Sequence, residues 1–251
     1  MQAEGRDPIE TARRLSAPDL PKRFYSEVSL AETAGGWAIR LDGRGARTPA
    51  RNELACPDRR FAEAVAAEWA AQSERIDPGS MPATRLANTA LDGVAREIEA
   101  VRDGIAAFAE SDLLCYRADA PEGLVAEQRA HWDPLVAATE ARLGRRVMLA
   151  EGIMHVPQLP ELLAAVRAEI GAVEDPFRLA ALHVVASLTG SAFIALALGH
   201  GAVAPDAAWA AAHVDEDWNI RHWGEDAEAT ARRDRRRAEF DAAALVLAGG
   251  R

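Results

Sequence analysis

The sequence predicts an α+β fold: a small N-terminal antiparallel β-meander with a helix, followed by a larger all-α helical bundle domain. Three observations predict it. Residues 22–56 alternate apolar and polar side chains around an Asp42-Gly43 turn. After Pro57 the apolar residues Phe61, Val65 and Trp69 fall on one helical face. From about residue 81 helical spacing continues almost to the C-terminus. The expected division is a polar N-terminal tail at 1–20, a small α+β domain at 21–80 and a helical bundle domain at 81–251.

The tail contains Pro8 and Pro18 and little apolar material. The segment RFYSEVSL reads as a strand and Trp37 to Leu41 as a second. Ala31 to Gly36 forms the turn between them. Asp42-Gly43 signals a tight hairpin, because a primed turn needs positive φ. Arg44 to Thr48 is the returning strand, and Leu54 to Cys56 adds an edge piece. Pro57 opens the first helix, which stops before Asp77-Pro78-Gly79. Met81-Pro82 starts the next run. Ile98, Val101, Ile105 and Phe108 extend it, and residues 112–117 close it. Pro121 opens a further helix, which Pro134 should kink or restart with Asp133 as N-cap. Arg146 to Leu149 forms an extended link. Helices are expected at about 159–173, 176–199, 206–223 and 226–247, with Gly224 capping the third of these.

Composition limits the function. Acids outnumber Lys plus Arg, 39 to 29, for a net charge of −10. No nucleic-acid partner is expected, because phosphate backbones select basic surfaces. Cys56 and Cys115 are the two cysteines. They form no disulfide framework and no zinc-ligand spacing, as in a reducing compartment. The first residues lack an apolar signal core, and Glu4, Asp7 and Glu10 oppose an organelle presequence. A bacterial cytoplasm is the expected location. Residues 179–199 contain no Asp, Glu, Lys or Arg. Their Ser, Thr, His and Gly content, without flanking Trp or Tyr, favours the centre of a bundle over membrane insertion.

Catalytic signals are few. The Gly43–Thr48 segment resembles a phosphate loop, but it sits at a hairpin with no helix after it. No GxSxG elbow or HExxH pair occurs. Neither a cofactor nor a metal is expected. The mid-helix polar residues of 84–93, including Asn88 and Asp92, suit internal hydrogen bonds.

The most unusual stretch is Val214 to Asp226. On one continuous helix, Trp209, His213, Glu216, Ile220 and Trp223 share a face, with Asp215, Asn219, His222 and Asp226 on another. Glu216 then lies on an otherwise apolar stripe. A half-buried acid must find a partner or protonate. It either pairs with an arginine inside the fold or awaits one from outside. The following helix carries Arg232, Arg233, Arg235, Arg236 and Arg237, and folding back would bring an arginine to the acids of 215–217. A metal site is disfavoured, because His222 leaves the face of His213 and Glu216. A hydrolase using the acids and histidines of 213–226 is the alternative reading. Trp69 is expected to be structural.

Several segments occur in an order that resembles one family: KRFYSEVSL, GGWAIRLDGR, AAEWAAQSERIDPGSMPATRLANTALDG, SDLLCYR, HWDPL, DPFRLAALH and VDEDWNIRHWGED. They resemble the F-type ATP synthase assembly chaperones that serve the alpha subunit, from about Pro21 to Leu247. The resemblance implies no catalysis. It implies transient binding of unassembled alpha subunit, which prevents its aggregation before the beta subunit arrives. It does not map the binding surface. The residues expected to contact the client are Glu216, Asp217, Trp218 and Trp223. A monomer is favoured, with the oligomeric state left open.

Overall fold

The computed structural model describes residues 20–152 and 154–249, so all of the expected tail except Leu20 lies outside the described residues. Strand β1 (Val28–Thr33) pairs antiparallel with β2 (Gly36–Leu41), Val28 facing Leu41 and Thr33 facing Gly36. The first strand thus begins at Val28, later than Arg23. The Asp42 carboxylate takes the Ser26 and Glu27 amides at 3.0 and 2.8 Å, which occupies donors that a longer ladder would use. Asp42 and Gly43 both have positive φ, as the hairpin turn requires. Strands β3 (Arg44–Gly45) and β4 (Ala55–Cys56) share the other edge of β2. Gly36 is needed there, since a Cβ would lie 2.3 Å from the Cys56 carbonyl.

Helix α1 (Arg59–Ala71) lays Phe61 and Val65 on this sheet. Its cap is Asp58, which accepts from the Phe61 amide, so Pro57 lies just outside the helix. Near its end Glu68 caps the next helix, α2 (Pro82–Asp92), from outside that helix. Its two oxygens take the Ala83 and Thr84 amides and the Thr84 hydroxyl at 2.7–2.8 Å. At the other end of α2, Asp92 accepts from Thr48, Ala50 and Asn52 and pins that loop. The polar residues of 84–93 therefore serve internal bonds at Thr84 and Asp92, but the buried Asn88 Oδ1 has no hydrogen-bond partner among the described residues.

Helix α3 (Ile98–Ala107) leads through short 3₁₀ turns into β5 (Tyr116–Arg117), which pairs in parallel with β6 (Ala150–Glu151). Between these strands runs α4 (Glu122–Leu143). Pro134 does not restart it, and Asp133 is no N-cap. Burial of Trp132, Leu135, Val136 and Thr139 along one face outweighs the lost hydrogen bond. The Asp133 carboxylate instead accepts from Arg117 at 2.6 Å. Helix α5 is Pro160–Gly171.

The run expected as one helix at 176–199 divides into α6 (Pro176–Thr189) and α7 (Ala192–Gly199). Gly190 ends α6 in the left-handed region, and Ser191 caps α7. Every residue of α7 is buried, so this apolar run is the centre of the bundle. No described helix is long and apolar enough to cross a membrane. Fully buried Asp112 accepts from the Phe193 amide at the start of α7 and from the Leu114 amide, both at 3.1 Å. Burial pushes its carboxyl up to about 7, against these donors and Ser191.

The expected helix at 206–223 is also two: α8 (Pro205–Ala212) and α9 (Val214–Trp223), separated at His213. Helix α10 (Ala227–Ala248), capped by Asp226, folds back along α6. Arg178 of α6 donates to the carbonyls of Gly199, Leu247 and Gly249, tying the ends of α7 and α10 together.

Candidate functional site

The break at His213 determines where every side chain of α9 points. His213 is 4% exposed and stacks on Trp209 with ring centroids 3.8 Å apart. The buried Trp132 indole donates to the Ala211 carbonyl at 2.7 Å and anchors the corner. Because the helix restarts here, the stripe expected from Trp209 to Trp223 does not continue. Trp223 is 78% exposed, so it does not share a buried face with Trp209.

The acids of α9 then divide by direction. Asp215 faces α4 and accepts from Gln128 at 2.7 Å, while the other end of that amide accepts from the Ala118 backbone. Asp217 faces α10 and pairs with Arg233 at 2.5 Å. The folded-back arginine expected from sequence therefore arrives, but at Asp217 rather than Glu216. Further along, Trp218 packs its ring edge on Gly123 of α4, where a Cβ would lie 2.5 Å away. Arg221 lies over the Trp218 ring and pairs with Glu127 of α4. Helix α9 is thereby fastened to two neighbours. Gly123, Gln128 and Glu127 carried no sequence signal for this role, because they lie about ninety residues from their partners.

Glu216 remains between the two fastened acids. Its side chain is 39% exposed, and no arginine reaches it among the described residues. Its nearest charged-group neighbour is His213 Nε2 at 3.9 Å, beyond hydrogen-bond distance. His213 Nδ1 lies 2.8 Å from the Trp209 carbonyl, which can only accept. The neutral ring therefore carries its proton on Nδ1 and presents a lone pair at Nε2. Burial, together with the Arg233 and Arg236 charges, lowers the His213 pKa and so favours that neutral ring. Nε2 has no hydrogen-bond partner among the described residues. Glu216 thus faces an acceptor rather than a donor.

Glu216 and Trp223 border one cavity of about 400 Å³ in the corner between α9 and α10. Asn219, Ile220, Asp226, Ala229 and Arg233 are among the residues of its polar and apolar walls. His222 stacks on Trp218 outside this cavity and stays exposed. The acids and histidines of 213–226 do not converge on one point, and no group of metal-ligating side chains occurs among the described residues.

Residues 22–140 match the model of the ATP12 chaperone protein family. Atp12 from Paracoccus denitrificans superposes with a TM-score of 0.82 at 38% identity, over 92% of this chain and 99% of that one. The chain belongs to the ATP12 chaperone family. The Atu1473 protein of Agrobacterium tumefaciens is also similar, with a TM-score of 0.86 and 45% identity over 99% of this chain and 93% of that one. An aspartate-to-lysine mutant of the Paracoccus protein gives 0.81 at 38% identity, covering 90% of this chain and 97% of that one. ATP12 membership makes the chain a chaperone in ATP synthase assembly and not an enzyme, so the hydrolase reading is dropped.

Proposed function

We propose that this chaperone holds the unassembled alpha subunit of F-type ATP synthase, and that the α9–α10 corner is part of its docking surface. One observation carries the reading. A half-exposed carboxylate, Glu216, has no hydrogen-bond donor among the described residues and shares a cavity with the exposed indole of Trp223. Tryptophan is among the residue types that dominate binding energy at interfaces. Within this reading Glu216 and Trp223 touch the client. Asp217 and Trp218, the other two expected contacts, offer the client their outer edges while holding α9 against α10 and α4. Binding shields client surface that would otherwise self-associate. We assign the chain to a bacterial cytoplasm, supported by its two free, buried cysteines and by the bacterial sources of the similar structures. Action as a monomer, without nucleic acid or cofactor, belongs to the same proposal.

Co-expression with the alpha subunit tests it. Wild type should keep the alpha subunit soluble and co-purify with it. Glu216→Lys and Trp223→Ala should each lower the captured fraction at least tenfold. Their stability should stay within about 0.5 kcal/mol of wild type, because neither side chain is tied internally. A wild-type chain that neither solubilises nor retains the alpha subunit would defeat the reading.

A further inference from the structure

Tryptophan, arginine and a carboxylate recur together in this molecule. Arg59 lies over the Trp37 ring at 4.9 Å and pairs with Glu63 at 2.9 Å. Arg117 lies over Trp132 at 5.2 Å and pairs with Asp133 at 2.6 Å. Arg237 lies over Trp209 at 5.5 Å and pairs with Asp241 at 2.8 Å and with Asp206. Arg221 lies over Trp218 at 5.8 Å and pairs with Glu127. Four of the six tryptophans therefore sit in such a triad. Trp69 is half-buried and packs on Tyr25 instead. Trp223 has a carboxylate, Glu216, across its cavity, and no arginine lies over its ring among the described residues.

We propose that the α9–α10 cavity receives an arginine side chain of the client, which completes a fifth triad with Glu216 and Trp223. The inference rests on the docking surface proposed above and names what that surface recognises. A guanidinium fits for three reasons. Its planar fork donates to a carboxylate while its face stacks on an indole. Its alkyl stem suits the apolar wall at Ile220 and Ala229. The buried His213 Nε2, without a partner among the described residues, faces Glu216 as an acceptor and does not compete as a donor for its carboxylate. Arg233 also borders the cavity, but its charge is committed to Asp217. An anion is disfavoured, because Asp226 already caps the N-terminus of α10 at this corner.

The test is a two-dimensional NMR titration of the full chain, following the Trp223 indole N–H. The probes are N-acetyl-arginine amide, its neutral isostere N-acetyl-citrulline amide, and N-acetyl-lysine amide. Trp223→Phe assigns the signal. The arginine probe should shift the indole saturably. Citrulline should leave it in place, and lysine should shift it less. Glu216→Gln should weaken arginine binding about tenfold. A flat arginine titration, equal shifts with citrulline, or an unchanged response in Glu216→Gln overturns the inference. Alpha-subunit capture separates this inference from the docking proposal. If arginine binds as expected while Glu216→Gln and Trp223→Ala both still capture the client, the arginine site stands and its role in docking falls. If capture is lost while the titration is flat, docking stands and the arginine inference falls.

Discussion

Single side chains set the boundary conditions of this fold, and Asp112 shows how. It is fully buried, yet its oxygens take amides from two segments distant in sequence, one at Leu114 and one at Phe193. Burial raises its pKa to about 7, while an unfolded aspartate titrates near about 3.9. Between those values the folded chain holds a proton that the unfolded chain has released. Its contribution to stability is therefore present at low pH and is lost as pH rises through about 7. Asp112→Asn cannot titrate, and its amide nitrogen would oppose a backbone donor. We expect it to unfold at lower urea, with a deficit that is largest near pH 4 and shrinks towards pH 7; urea melts at several pH values check this. His183, His200 and His213 act in the opposite sense. Burial lowers each of them, so their contribution is lost as pH falls below about 6.5. Comparing wild type with Asp112→Asn isolates the aspartate from these histidines.

Among the elements, α9 is the one on which the proposed function depends. It has only ten residues and buries little more than Val214, so burial alone does not hold it. Its fastenings are Asp215 to Gln128, Asp217 to Arg233, Arg221 to Glu127 and the Trp218 edge on Gly123. Gly123→Ala tests the last of these. The methyl would lie 2.5 Å from Trp218 Cη2, so the ring must move. Replacing a helical glycine gains roughly 0.5–1 kcal/mol, while the overpacking costs about 1–3 kcal/mol. A modest net loss of global stability is expected. The larger effect is local: amides of α9 should exchange with solvent faster than those of α10. Unchanged exchange in α9 would show that Gly123 does not hold it.

At the scale of the molecule, the division proposed at 21–80 and 81–251 separates two architectures, sheet with helix from bundle. One buried cluster nevertheless runs from Tyr25 and Ile39 through Phe61 and Leu86 to Phe193 and Phe240. The edge-to-face pair of Phe61 and Phe177 crosses between the two parts. Glu68 capping α2 and the return of α10 towards α1 cross it as well. We therefore expect one thermal transition, with circular dichroism at helical wavelengths and tryptophan fluorescence reporting the same midpoint. Two separated midpoints would mean that the parts fold independently.

The sequence by itself determined the fold class, the hairpin at Asp42-Gly43, most helix positions, and the segment that carries the candidate surface. These follow from local period and turn chemistry, which a few neighbouring residues encode. It also marked Glu216 as an acid in need of a partner. Only the tertiary structure decided which acids were satisfied. The breaks at Gly190 and His213, and the unbroken passage of α4 through Pro134, depend on what each helix packs against. A helical period of alternating four- and three-residue steps drawn through His213 placed Trp223 on a buried face, but one residue of non-helical backbone turns everything after it. Arg233 went to Asp217, and a lone pair on His213 was left facing Glu216, because α10 and the buried corner approach α9 from directions that linear spacing does not contain. The carboxylate thus stays open beside an exposed indole through the geometry of three packed helices, not through any motif.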